Sequence, residues 1–380
     1  MPIRNFLTNR TARRKCHLNG ILPSQRMPHK PKLQQQFSDH IRFSNSQLPH
    51  KVNLRFQMTP VEDQSSIGSC VANAFAGAYE YLLKKSSGHE IDVSRLFIYY
   101  NARVKDEESD ENINDSGCSV SSAIEALEES GTCLESVWPY CKKRVNKCLI
   151  DEAYEAAANN RITDALQVKI NLYEMKSCLA QGYPFVFGLE LYNSFDKAAK
   201  KGIVPIPKSG ETSRESHGSH AMLAVGYSDH SQAFIVRNSW GEEWGDGGYC
   251  YIPYDYLTNS DFFFDPWIVR KLETDDMGHE HWDDDDSIDY QEEEDDDDDD
   301  DEEEEEEEED DDEGGEIEEE EEDEELENKI DDSNKKQYLL PASKKYQAHC
   351  VFNNPLLIYN FEVIAERILL CKFVVKMSSL

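Results

Sequence analysis

Cys70, His220, Asn238 and Gln64 are the side chains in this sequence whose types and order could carry acyl chemistry. A thiol attacks a carbonyl well only as thiolate, and a helix N-terminus or a neighbouring imidazolium favours that form. Cys70 follows Gly68 and Ser69 in VEDQSSIGSCVANAFAGAYEYLL, where an apolar run with helical spacing begins. His220, in SHAMLAVGY, could hold the thiol's proton and return it to a leaving amine. Asn238, in RNSWGEEWGDGGY, could accept from the other ring nitrogen and fix the imidazole's orientation. Gln64 could donate its side-chain N–H to a developing oxyanion beside the backbone N–H of Cys70. His217 is set aside in favour of His220, which directly precedes the strand-like AMLAVGY. Gly117, in DSGCS, either lines a cleft and lets substrate backbone approach or simply turns the chain.

These groups need elements to hold them. Val71, Phe75, Ala78 and Leu82 predict a helix over 69–84 with Ser69 as its cap, and Gly68 would permit a tight start. Ile124 and Leu127 predict a second helix over 119–130. From about residue 167 the texture becomes β-rich, with short pieces over 185–189, 222–227, 234–237 and 249–252 separated by turns. A helical half followed by a β half implies two lobes with a cleft between them.

The net charge of −38 is local. Residues 283–327 hold 37 Asp and Glu and no Lys or Arg, so 77 − 37 leaves 40 acids against 39 bases elsewhere. Residues 1–55 carry eleven Lys or Arg and a single acid, Asp39. Residues 1–47 therefore read as a basic, mostly disordered arm, 283–327 as a polyacidic disordered spacer, and 338–380 as an apolar segment. The polyacid could pair with the basic arm or with a basic partner protein. In the apolar segment, Leu357, Phe361, Ile364, Ile368, Cys371 and Val375 form a helical stripe, while Glu362, Glu366, Arg367 and Lys372 argue against membrane insertion of 355–375. No secretory signal is visible, so an intracellular location with reduced thiols is expected, the compartment being left open. Cys141 and Cys148 lack zinc-site spacing and read as free thiols.

The motifs resemble the papain/cathepsin family of cysteine peptidases. In that family His and Asn follow the nucleophile by roughly 130–150 residues; here they follow by 150 and 168. LPHKVNLR at 48–55, ESVWPY at 135–140 and NSWGEEWGDGGYCYIPYDYL at 238–257 extend the likeness over about 48–270. The resemblance implies that Trp240 shields the Asn–His hydrogen bond, whereas Trp244 reads as core. There are departures: Ile67 stands where the family usually has a disulfide cysteine, Val71 follows the nucleophile in place of an aromatic residue, and the usual inhibitory prosegment is not recognisable. SCVANAFAGAYEY is closer to short microbial and large-virus members than to secreted cathepsins.

The expected fold is α+β and papain-like, with a peptidase domain over 48–275, a helical lobe over about 54–165 and a β-barrel-like lobe over about 166–272. The expected function is peptide-bond hydrolysis through a Cys70–His220–Asn238 triad, with Gln64 at the oxyanion and Gly117 at the substrate. No metal or organic cofactor is required, and no specific nucleic-acid site is expected. Two alternatives are an acyl-transfer enzyme using the same triad and an inactive scaffold that binds partners through its charged arms.

Overall fold

The computed structural model describes residues 6–9, 14–107, 113–212, 217–271 and 274–285. The expectations for 338–380, and for 283–327 beyond Asp285, lie outside the described residues.

Helix α1, Cys70–Ser87, is the buried axle of the molecule: each residue from Cys70 to Leu82 is buried. A helix apolar on every side must be covered on every side. Helices α2 (Arg95–Glu107) and α3 (Val120–Glu129) pack together and against α1. A sheet with nine strands among the described residues also packs against α1. Gly88 ends α1 in the left-handed conformation at φ 70°, the backbone region that glycine enters without a Cβ penalty. α3 starts within the stretch expected to be helical, and Ser119 caps it by accepting from the Ser122 amide.

The sheet runs Tyr249–Pro253, Ala233–Arg237, Gly218–Ser228, Phe185–Leu191, Phe263–Arg270, Asp164–Gln167 and Gln35–Gln36. Lys51–Asn53 also pairs with Gly218–Ser228, and Trp282–Asp283 pairs with Lys51–Asn53. All pairs are antiparallel except Gln35–Gln36 with Asp164–Gln167. Arg237 lies opposite Leu223, so the pairing delivers Asn238 beside the first residues of the His220 strand. Phe185, Phe187, Phe234 and Phe263 interlock beneath it, fixing the sheet by burial of large apolar rings.

Residues 17–47 depart from the disordered-arm expectation. Leu18, Ile21, Leu33 and Phe37 are all buried. Gln35–Gln36 joins the edge of the sheet, and Ile21–Leu22 pairs in parallel with Cys118–Ser119. The bases of this arm find acids on α3 and need no polyacid. Arg26 makes a bidentate pair with Glu125 at 2.8 and 2.9 Å, Lys32 reaches Glu128 at 2.7 Å, and Lys30 pairs with Glu128 and Glu129. Composition alone hid the arm's order because its four apolar anchors are scattered among prolines and cations.

Candidate active site

The sulfur of Cys70 sits at the N-terminus of α1 and is fully buried. The backbone amides of Ala221, Val71 and Cys70 lie near it and favour its thiolate form. Ala221 is the neighbour of His220, so the wall from the β half reaches the thiol directly. His220 is fully buried, and its Nε2 lies 2.8 Å from Asn238 Oδ1. The carbonyl oxygen of Asn238 can only accept, so that ring nitrogen carries the proton. Nδ1 of His220 has no hydrogen-bond partner among the described residues, which leaves it as the ring's free base.

Trp240 stacks on the imidazole with centroids 4.7 Å apart and planes 29° apart. Trp244 meets Trp240 edge-on at 5.1 Å and stacks on Phe195 at 5.9 Å. Trp240 therefore covers the imidazole, as the resemblance implied, and Trp244 is buried against it, as expected of a core residue. Asn238 Oδ1 also accepts from the Ser239 amide at 2.8 Å, which pins the carboxamide. His217 precedes the strand and takes no part in this pairing; its amide donates to the Leu191 carbonyl.

Gln64 is fully buried beside the helix start. Ser239 Oγ donates to Gln64 Oε1 at 2.6 Å, and the Gln64 amide donates to the Ser239 carbonyl at 2.8 Å. These two bonds turn the NH2 of Gln64 away from Ser239. Its Nε2 donates to the Ile67 carbonyl at 2.9 Å and to the His17 carbonyl at 3.3 Å. A carbonyl of the chain's own arm thus occupies a donor that sequence reasoning assigned to an oxyanion.

The arm continues across the thiol. A Cβ built on Gly20 would lie 2.6 Å from the Gly68 carbonyl oxygen and 3.0 Å from Cys70 Sγ. Only glycine fits there, because real side chains do not approach backbone so closely. Asn19 and Ser219 are tied by two bonds: the Asn19 amide donates to the Ser219 carbonyl at 2.8 Å, and the Ser219 amide to Asn19 Oδ1 at 3.0 Å. The Cys118 amide donates to the Gly20 carbonyl at 3.1 Å. Gly117, at φ 79°, would put a Cβ 2.8 Å from the same carbonyl oxygen. Gly117 turns the chain, and the backbone that passes close to it is that of Gly20. Gly68 has no positive φ; its smallness answers to Asp115 and the Tyr99 hydroxyl, each 3.1 Å from where a Cβ would lie.

Enclosure sets the protonation state. Burial pushes the Cys70 thiol up to about 12, against the backbone amides that favour thiolate. Burial pulls the His220 imidazole down to about 4, against the favourable Asn238 bond, with nearby His17 lowering it further. At neutral pH the covered site holds thiol and neutral imidazole, because neither charge is solvated. Cys141 and Cys148 are not joined, as expected.

A thiol at a helix start, together with an Asn-oriented and Trp-covered imidazole carried on an antiparallel sheet, fits a papain-like α+β cysteine peptidase. The family model described as papain family cysteine protease matches residues 48–260, and the chain belongs to that family. It is 37% identical over 223 residues to an uncharacterized peptidase C1-like protein of Acanthamoeba polyphaga mimivirus, covering 55% of this chain and 69% of that one. Cysteine proteinase 3 of Entamoeba histolytica is 26% identical over 226 residues, covering 57% of this chain and 67% of the relative. Among solved structures, xylellain, a cysteine protease from Xylella fastidiosa, superimposes with TM-score 0.57 at 34% identity, over 69% of this chain and 98% of xylellain. A procathepsin L2 from Tenebrio molitor larval midgut, at 21% identity and TM-score 0.54, shares the fold. The chain is accordingly a peptidase whose substrates are polypeptides.

Proposed function

We propose that this peptidase works through a Cys70–His220–Asn238 triad and a thioester acyl-enzyme. His220 Nδ1 takes the Cys70 thiol proton, and the resulting thiolate attacks the scissile carbonyl. The tetrahedral oxyanion receives N–H bonds from Gln64 Nε2 and the Cys70 amide. As it collapses, the C–N bond breaks and His220 protonates the leaving amine. Water, deprotonated by the same ring, then hydrolyses the thioester and restores the thiol. Asn238 holds the ring throughout, and Gly117 gives the substrate backbone the close approach it now gives Gly20.

The observation that carries this reading is the His220–Asn238 bond under Trp240, with Cys70 at the start of a buried helix. Turnover in this reading requires residues 17–22 to leave the cleft, since the arm fills the positions a substrate needs. Displacement also re-solvates the pair, which lowers the thiol and raises the imidazole toward their ordinary values. The test is a cleavage profile of the full chain on a peptide library, with an epoxide thiol probe to count reactive Cys70. Cleavage that is lost in Cys70→Ala supports the reading; a folded chain that reacts with the probe and cleaves nothing overturns it. An added amine nucleophile that captures most of the acyl product would mark a transferase instead.

A further inference from the structure

Tyr140 lies outside the triad, yet its hydroxyl joins the two ends of the segment that carries the oxyanion donors. It donates to the Gln64 carbonyl at 2.8 Å and lies 2.6 Å from Ser69 Oγ. The proton directions are forced. The Gln64 carbonyl can only accept, so the single phenolic proton goes there. Ser69 must then donate to Tyr140, and Ser69 Oγ in turn accepts from Asn73 Nδ2 at 3.0 Å. Asn73 Oδ1 faces the Arg95 guanidinium at 3.5 Å, which fixes the amide's orientation. The result is a one-way relay from Asn73 to Ser69 to Tyr140 to the Gln64 backbone.

The relay has structural company. Ser69 stands at the N-cap of α1 but makes no side-chain cap bond, so its hydroxyl serves the relay instead of the helix. Arg95 lies 4.0 Å over the Tyr140 ring, and the Glu135 carboxylate accepts from the Tyr140 amide. Burial raises the phenol above its ordinary value, which keeps it protonated and donating. Hydrogen bonds in series polarise one another in a low-dielectric interior. The bonds span residue 64, which bears the oxyanion donor, and residue 69, which precedes the nucleophile.

We propose that Tyr140 is a positioning residue for the oxyanion side of the active site, holding the Gln64 turn in register with the N-terminus of α1 through Ser69 and Asn73. This rests on the peptidase reading above. A loosened donor matters in the step that builds an oxyanion and not in substrate binding, so kcat should carry the effect.

The experiment compares the full chain with Tyr140→Phe, which removes one oxygen and keeps the ring. Under one condition where the unaltered chain turns over a peptide, kcat should fall about tenfold with KM within about twofold. Affinity for a peptide aldehyde, whose oxygen enters the oxyanion position when the thiol adds, should fall about tenfold as well. Alkylation of Cys70 by iodoacetamide builds no oxyanion and should keep its rate. A uniform loss in all three readouts, or an unchanged aldehyde affinity, overturns the proposal. Ser69→Ala breaks the same relay one link earlier and carries the same readouts should Tyr140→Phe fold poorly. The double variant should cost no more than the worse single one; multiplying costs would sink the relay. If the unaltered chain cleaves nothing yet binds the aldehyde, the peptidase reading fails, and the aldehyde ratio alone judges Tyr140.

Discussion

Two walls close over Cys70, and different forces hold them. The wall bearing His220 is part of a sheet: Phe185–Leu191 and Ala233–Arg237 flank Gly218–Ser228, and Ala221, Met222, Leu223, Ala224 and Val225 are buried along it. Its stability comes from apolar burial and ladder hydrogen bonds, which are insensitive to salt. The wall made by residues 17–32 buries Leu18, Gly20, Ile21 and Pro28 and has one short parallel pairing, Ile21–Leu22 with Cys118–Ser119. Beyond them it is held by Arg26, His29, Lys30 and Lys32 on the Glu125, Glu128 and Glu129 carboxylates of α3. Partly exposed pairs of this kind contribute roughly 0.2–1 kcal/mol each and weaken with salt. The fixed wall bears the proposed base, and the wall that hides the thiol is the one that salt should loosen.

The largest expected effect lies at the point where the walls meet. Cys70→Ala should remove measurable peptide turnover while far-ultraviolet circular dichroism stays unchanged; residual turnover would place the nucleophile elsewhere. On the fixed wall, Asn238→Ala should cost less, on the order of a hundredfold in kcat, because the imidazole survives without its orienting partner. Equal losses from the two changes would contradict the assigned roles.

On the movable wall, Gly20→Ala should act in the opposite direction. Its Cβ would meet the Gly68 carbonyl at 2.6 Å, so the arm could not seat, and epoxide labelling of Cys70 should rise about tenfold at neutral pH. Unchanged labelling would mean that the arm does not limit access.

The smallest effect is electrostatic. Glu125→Gln with Glu128→Gln should speed labelling about threefold at low salt and leave it little changed in molar salt. Acid should mimic that double variant. Both carboxyls are held below the ordinary carboxylate value by their cationic partners, working against burial. Their stabilisation of the docked arm is present above that ordinary value and lost as pH falls through the lowered one. His17 of the arm and His220 of the fixed wall are pulled down by burial, and charging both as pH falls, through about 4 for His220, adds repulsion between arm and wall. The raised Lys30 acts only at the alkaline end. Hydrogen exchange at the Gly20–Leu22 amides, corrected for intrinsic rate, should accelerate as pH drops; a flat profile would remove these groups from the latch.

Much of the fixed wall was legible in the sequence. The helix expected over 69–84 is Cys70–Ser87, and the strand expected over 222–227 is Gly218–Ser228, because periodicity reports which face is buried. Ser69 was expected to cap α1 by its side chain and instead feeds Tyr140, a partner 71 residues away. Tyr140 itself carried a signal within ESVWPY, but nothing local says where a hydroxyl will point. The arm was misread for a related reason: its cations look solvated until Glu125 and Glu128 on α3 are seen beneath them.

The sequence by itself determined the reagents and the frame that presents them: a thiol opening a helix, a ring on a strand, an amide after the next. These follow from residue type and short-range spacing. Tertiary structure alone decided that the reagents stand uncharged, since desolvation depends on what lies above them. It also decided that the covering segment is the chain's own residues 17–22, because contacts between positions 20, 68 and 117 exist only once the backbone has closed on itself.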